Sequence, residues 1–231
     1  MIHWLPENSE LSPKIREAIL KYSARNVYSK NGIVYFQEDK ADKFYIVLSG
    51  YVRLSYIMED GTAILYAIVP PGQSFGELGV FDRSVYTDTA SAIGSVSVLA
   101  VSAGVFHSNV PFSTELREAL SSLIVDRYRT YIDVTKSLYL SNLSARLAMS
   151  LLRLVNSLGQ TIDLNGKSCP YLGSMVTQSD LGAMARGTRG NVNRVLKRWE
   201  REGLILVQDR KVILLDPDEL ENVAIRGGDT Q

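Results

Sequence analysis

Between Met184 and Leu204 the chain reads MARGTRGNVNRVLKRWEREGL, with Arg or Lys at 186, 189, 194, 197, 198 and 201 and only Glu200 and Glu202 against them. These side chains suit one chemistry. Arginine can bond guanine through two parallel donors, and asparagine can do the same to adenine. Lysine and arginine also neutralise phosphate, which positions a protein on a duplex without reading its sequence. Residues 177–211 hold eight basic residues against four acidic ones, whereas the whole chain balances 25 Lys and Arg with 25 Asp and Glu. A neutral protein that gathers positive charge in one segment points to a local anionic partner. Charge alone fits a solvated helix face equally well. The local fold has to separate the two.

Local signals divide the segment into two helices. Thr177 with Asp180 three residues on matches a capping box, and Leu181 and Met184 face inward. The first helix stops around Arg186 and Gly187. Thr188 caps a second helix running to about Glu202, with Gly203 as its C-terminal stop. Val192, Val195, Leu196 and Trp199 recur at i, i+3, i+4 and i+7, an apolar stripe. The second helix presents Arg189, Gly190 and Asn191 outward in its first turn. Two helices joined by a short turn, with a basic and amide-rich outer face, predict a helix-turn-helix. Next comes LILVQDRKVILLD, two β runs around a polar turn with Arg210 and Lys211 at its tip, which reads as a wing on phosphate. The expected DNA contacts are Gln178, Thr188, Arg189, Gly190, Asn191, Asn193, Arg194, Lys197, Arg210 and Lys211, with Arg198 a further phosphate ligand. A helical hairpin that docks a protein is the competing reading.

Other elements must carry this pair of helices. From about residue 27 to 108, short β-branched and aromatic runs (GIVYF, FYIVLSG, YVRLSYI, AILYAIV, SVSVLAV) alternate with turns. Gly50, Gly61 and Gly72 fall at 11-residue intervals, and Glu59-Asp60-Gly61 suits a hairpin turn. Short strands with regular turns predict an antiparallel barrel or sandwich. Residues 12–25 predict a short helix with Ile15, Ala18 and Ile19 on its apolar side. After Pro111 the pattern is helical. Leu120, Ile124, Arg127, Tyr131, Val134 and Leu138 alternate spacings of four and three, a coiled-coil seam that predicts pairing with a second copy. Lying on its own barrel is the alternative for that helix. Ser141 or Asn142 can cap a following helix carrying Leu143, Leu147, Leu151 and Leu154. Residues 159–176 read as a connection with a turn at Asn165-Gly166.

Composition narrows the function classes. No apolar run approaches the roughly 18 residues of a membrane span, and the N-terminus lacks a basic start followed by an apolar core. Cys169 is the only cysteine, so an intrachain disulfide and four-cysteine metal sites are excluded. His3 and His107 are the only histidines, so no histidine-rich metal site is expected. These features predict a soluble cytoplasmic protein. No nucleophile elbow, Walker loop, metal-ligand spacing or catalytic carboxylate pair is present, so no enzyme is expected.

Nearly the whole chain, in order, resembles the Crp/Fnr superfamily of bacterial transcription factors (cyclic-AMP receptor protein and fumarate–nitrate regulator). The resemblance is carried by EDKADKFYIVLSGYVRLS, PPGQSFGELGVF, NLSARLAMSLLRL and, most specifically, TQSDLGAMARGTRGNVNRVLKRWEREGLI. It implies an α+β fold. An N-terminal antiparallel β-roll or jelly roll of the cyclic-nucleotide-binding type would span 1–111. A dimerisation helix and hinge would span 112–140, and a C-terminal winged helix-turn-helix 141–231. It also implies a homodimer that reads a roughly palindromic double-stranded DNA operator, acts on RNA polymerase and answers to a small effector, with no metal. A sensor module acting through a protein partner is the alternative. The family's recognition helix opens Ser/Thr-Arg-Glu-Thr-Val-x-Arg, and here the run is Thr188-Arg189-Gly190-Asn191-Val192-Asn193-Arg194. Gly190 replaces a carboxylate able to accept from cytosine, so a different half-site is expected.

Phe75–Ser84, FGELGVFDRS, resembles the phosphate-binding cassette of cyclic-nucleotide domains. In that cassette backbone amides cradle the phosphate, a carboxylate takes the ribose hydroxyl and an arginine neutralises charge. The resemblance places Gly76, Glu77 and Leu78 in it. The family's Arg-Ser pair falls at Tyr86 and Thr87, and Arg83-Ser84 matches the dipeptide several residues early. On the long helix, Tyr131 and Ile132 stand where cyclic-AMP binders present small hydroxyl residues, with Tyr128 one turn earlier. The expected effector residues are therefore Gly76, Glu77, Leu78, Arg83, Thr87, Tyr128 and Tyr131. The departures favour another small molecule, or none, as much as cyclic AMP. The lone Cys169 excludes an iron–sulfur sensor, and His107 alone is a poor basis for a haem sensor.

Overall fold

A computed structural model of the chain describes residues 20–104, 113–140 and 142–227. The chain forms two compact units that divide between Tyr131 and Ile132, inside the long helix.

The first unit is built on antiparallel pairing. Its strands are β1 (Ser23–Tyr28), β2 (Ile33–Tyr35), β3 (Lys43–Ile57), β4 (Ala63–Val69), β5 (Ser74–Phe75) and β6 (Thr89–Ser102). The sheet runs β1-β6-β3-β4, with β2 on β6 and β5 on β3. A short helix, α1 (Glu77–Asp82), follows β5. The β3–β6 ladder shifts register on either side of Ser49. Gly50 sits there at φ 79, and a Cβ on it would lie 2.4 Å from the Ser95 carbonyl oxygen. Only glycine lets the two strands approach this closely while one bends. Phe44, Val47, Val52, Leu54, Val69, Phe75, Val96, Val98 and Val101 fill the interior, each worth about 1.5–3 kcal/mol when fully buried.

The predicted turns form as expected. Gly50, Gly61 and Gly72 all adopt positive φ. At the β3–β4 hairpin, Met58 N–H donates to the Thr62 carbonyl at 2.9 Å and Gly61 N–H to the Met58 carbonyl at 2.9 Å. The helix expected over 12–25 differs. Residues 12–19 lie outside the described chain, Leu20 and Lys21 are helical, and Ser23–Arg25 belong to β1, paired with Leu99–Val101 of β6. A ladder that satisfies the backbone outweighs a weak helical signal.

A long helix, α2 (Ser113–Leu138), leads into the second unit. There follow α3 (Leu143–Leu158), β7 (Thr161–Leu164), β8 (Lys167–Leu172), α4 (Gln178–Ala185), α5 (Arg189–Arg201), β9 (Ile205–Gln208), β10 (Lys211–Leu214) and α6 (Pro217–Arg226). Asn142 caps α3, accepting from Ala145 N–H at 2.8 Å. Ser141, the other predicted cap, lies outside the described residues. Leu147, Leu151 and Leu154 are buried, while Leu143 is half-buried. The 159–176 connection is itself a hairpin, β7 and β8, turning at Asn165 (φ 55) and Gly166 (φ 84). It joins the wing in one sheet of order β7-β8-β10-β9. Its strands escaped notice because TIDL and KSCPYL carry Asp, Lys and Pro in place of a clean alternation. Cys169, at the centre of β8, is buried.

Candidate nucleic-acid interface and the barrel cavity

The helix-turn-helix is assembled from local hydrogen bonds. Thr177 N–H donates to the Asp180 carboxylate at 2.8 Å, and Asp180 N–H returns to Thr177 Oγ1 at 3.1 Å, closing the capping box. At the far end α4 stops on Arg186 in the left-handed region, φ 52. Gly182 permits the tight turn, since a Cβ there would meet the Gly187 carbonyl oxygen at 2.6 Å. Arg146 of α3 clamps the corner, donating Nε to the Ala185 carbonyl and Nη1 to the Leu140 carbonyl, both at 2.8 Å. The Ala185 carbonyl ends α4, where helical partners run out, and Leu140 lies just past the end of α2.

Thr188 then caps α5, its Oγ1 accepting from Asn191 N–H at 3.2 Å. Val192, Leu196 and Trp199 are buried and seat the helix. Arg189, Gly190, Asn191, Arg194 and Lys197 are exposed on its outer side. Arg194 donates to the Asn191 side-chain oxygen at 3.3 Å, so the two groups able to read bases are held together. Gln178 donates to half-buried Asn193 at 3.3 Å, which brings the start of α4 beside α5. Arg198, exposed on the same helix, donates to Ser144 Oγ at 2.8 Å and lies 3.8 Å from Glu202, which links α5 to α3.

The wing turns on Asp209 and Arg210, both at positive φ (51 and 61), the two-residue turn that matches strand twist. Arg210 is exposed at its tip. Arg189 and Arg210 line one cleft of about 500 Å³ together with Gln178 and Ser179. Lys211 departs from expectation. It is the first residue of β10, not a tip residue, and its ammonium lies 5.5 Å over the Tyr171 ring.

In the first unit, Gly76 adopts φ 77 at the start of α1 and Glu77 is buried behind it. With half-buried Leu78, and with Tyr66, Tyr86, Thr87 and Asp88, they line a cavity of about 10 Å³, space for about one water. Sequence reasoning missed the group that organises this region. Asp88 is buried and accepts from Tyr35 Oη at 2.8 Å and from Tyr66 Oη. The available signal was an aspartate among small and apolar residues in VYTDTASA. Tyr86 stacks on Tyr35 at 3.7 Å between centroids, and its hydroxyl donates to the Lys43 carbonyl at 2.6 Å. Burial, with the Asp88 charge second, lifts the Tyr35 hydroxyl well above its ordinary pKa. Burial also raises Tyr86. Arg83 ends α1 in the left-handed region, is exposed and is not a wall of the cavity. A cyclic phosphate needs cationic and amide donors and a far larger space. This cavity, with Glu77 and Asp88 in its lining, does not by itself supply them.

On α2 the Tyr131 ring packs on Tyr66 with centroids 4.7 Å apart, so Tyr131 reaches the barrel while Tyr128 is 64% exposed. The predicted seam is thereby divided. Tyr131 is partly covered by its own barrel, Val134 is buried and Ile124 is half-buried. The side chains of Leu120, Arg127 and Leu138 lie outside those described. Val125, Tyr128 and Ile132, spaced three and four apart, are the exposed apolar residues described on the helix.

Among the described residues no three His, Cys, Asp or Glu side chains converge as metal ligands. No described helix is long and apolar enough to cross a membrane.

A β-roll carrying a cassette-like loop, followed by a winged helix-turn-helix, defines a class of two-part regulators. Comparison with known proteins agrees. Residues 25–109 match the family model of the cyclic nucleotide-binding domain, and residues 145–223 match that of the Crp-like helix-turn-helix domain. The chain is 24% identical over 210 residues to a CRP-like cAMP-activated global transcriptional regulator of Mycobacterium tuberculosis, covering 91% of this chain and 92% of that protein. It is 25% identical over 215 residues to the cyclic AMP receptor protein of Thermus thermophilus, covering 93% and 94%. A crystal structure of a CRP-family transcriptional regulator from Thermus thermophilus superposes with a TM-score of 0.67 at 25% identity, over 86% of this chain and 96% of that one. The chain belongs to the Crp/Fnr superfamily of DNA-binding transcription regulators.

Proposed function

We propose that this protein is a non-enzymatic, cytoplasmic regulator that binds a double-stranded operator as a homodimer and acts on RNA polymerase. Its sensing domain is 1–111, its dimer helix and hinge 112–140, and its DNA-binding domain 141–231. The observation that carries the reading is the single exposed face holding Arg189, Asn191 and Arg194, continued across one cleft to Arg210. Arg189 and Arg194 read base edges, Asn191 positions Arg194, and Lys197 and Arg210 hold phosphate. Gln178, Thr188, Gly190 and Asn193 line the approach, and Lys211 contributes field more than contact.

The pairing surface of α2 is the exposed row Val125, Tyr128 and Ile132, with Ile124, Leu120, Arg127 and Leu138 beside it. The barrel answers to a small effector other than a cyclic nucleotide, or to none. Gly76, Glu77, Leu78 and Thr87 surround too little space, Tyr131 packs on the Tyr66 ring beside them, and Arg83 and Tyr128 are exposed.

Operator selection followed by titration tests the reading. Arg189→Ala and Arg194→Ala should each weaken specific binding by about 1–3 kcal/mol and relax one base position. Unchanged affinity in both would overturn it. Calorimetry with cyclic AMP tests the sensing part, where the expected result is no heat at millimolar ligand. Micromolar binding would return the barrel to the nucleotide sensors.

A further inference from the structure

Away from the DNA-binding face, the second unit holds a cleft of about 470 Å³ between the end of α2, α3 and α6. That is within the roughly 300–1,000 Å³ of small-molecule sites. Met149, Leu152, Ala224 and Ile225 make its apolar walls, and Asp133, Lys136 and Glu221 stand at its edges. Arg153 of α3 forms part of the same wall. Both of its terminal guanidinium nitrogens are buried and without a hydrogen-bond partner.

An arginine cannot shed its proton to relieve this. Its neighbours relieve it only in part. The Asp133 carboxylate attracts it without a hydrogen bond and also lies 3.9 Å from Lys136, while Arg226 engages Glu219 at 3.3 Å. Leaving a buried cation without a partner is strongly unfavourable. A site with apolar walls and one buried guanidinium whose terminal nitrogens lack hydrogen-bond partners has a definite complement: a molecule with an apolar body and one negative group. Asp133 and Glu221 at the rim oppose a second negative charge, which disfavours a phosphate dianion and favours a monoanion.

We propose that this cleft binds a small apolar carboxylate, whose carboxylate pairs with Arg153 as that side chain turns into the cleft. The two parallel donors of the guanidinium match the two oxygens. The methylene or aromatic body covers Met149, Leu152 and Ile225. Asp133 and Lys136 belong to α2, so the occupied cleft joins the dimer helix to the DNA-binding domain through one ligand.

The test uses the full chain and three kinds of probe: phenylacetate and hexanoate, their neutral counterparts 2-phenylethanol and 1-hexanol, and hexylamine. Melting temperature and calorimetric affinity are read for wild type, Arg153→Lys and Arg153→Met. The expected result is a saturable rise in melting temperature with the carboxylates alone. Arg153→Met should melt above ligand-free wild type, because an unpaired buried charge is gone, and lose at least about tenfold in affinity. Arg153→Lys should keep part of the response. An undiminished response in Arg153→Met, an equal response to the alcohols, or no response up to tens of millimolar would overturn the proposal. So would weaker self-association of Arg153→Met with no ligand response, which would make the cleft an interface between chains.

Discussion

Asp88 sets the character of the barrel cavity at the level of single side chains. A buried carboxylate held by the Tyr35 and Tyr66 hydroxyls puts negative charge beside the Gly76–Glu77 loop. Tyr86, at the position of the family's arginine, fills the interior with a stacked ring. The Tyr35 and Tyr86 phenols make the protein sensitive to alkali. Their folded pKa values lie above the unfolded value of about 10, so the native chain keeps protons that the unfolded chain releases. The associated stability is complete below about pH 10 and declines as pH rises beyond it. Tyr86→Phe should cost about 1 kcal/mol at pH 7 through the lost bond to the Lys43 carbonyl. It should also flatten the alkaline decline by up to about 1.4 kcal/mol per pH unit. Urea unfolding followed by circular dichroism from pH 7 to 11 checks both parts, and an unchanged slope would assign the alkaline loss to other groups.

At the level of elements, the wing separates local stability from function. Asp209 and Arg210 both occupy left-handed backbone, where a β-carbon costs about 1–2 kcal/mol relative to glycine. Arg210→Gly should therefore raise the melting temperature while weakening DNA binding and reducing the logarithmic salt slope by about 0.9 for the lost phosphate contact. A melting temperature that falls would show that Arg210 braces the turn instead. The helix-turn-helix that precedes the wing was legible in the sequence because its signals are local. The capping box at Thr177, the cap at Thr188, the apolar stripe ending at Trp199 and the Gly203 stop each depend on neighbours a few residues away. The β7–β8 hairpin and α6 were not legible, since their burial comes from long-range partners in the sheet and on α3. The same limit explains Asp88, whose tyrosine partners lie 53 and 22 residues away. It explains the seam on α2 as well. Spacing finds the apolar positions but not which of them the chain covers itself, and Tyr131 and Val134 are so covered.

At the level of the whole molecule, pairing of two chains is what matches two recognition helices to two half-sites. If Val125, Tyr128 and Ile132 form the pairing row, Val125→Asp with Tyr128→Asp should yield a monomer by sedimentation and reduce operator affinity far more than non-specific affinity. A persistent dimer would move the interface back to the predicted seam. Cys169 offers a different view of the same molecule. Its thiol is sealed within β8 of the second unit. A thiol reagent can reach it only when that strand opens, so its labelling rate, divided by the rate for a free thiol, is a direct count of how often the DNA-binding half comes apart. The chain thus carries its own clock for one half, and addition of operator or carboxylate should slow it in proportion to the binding energy each delivers to that half.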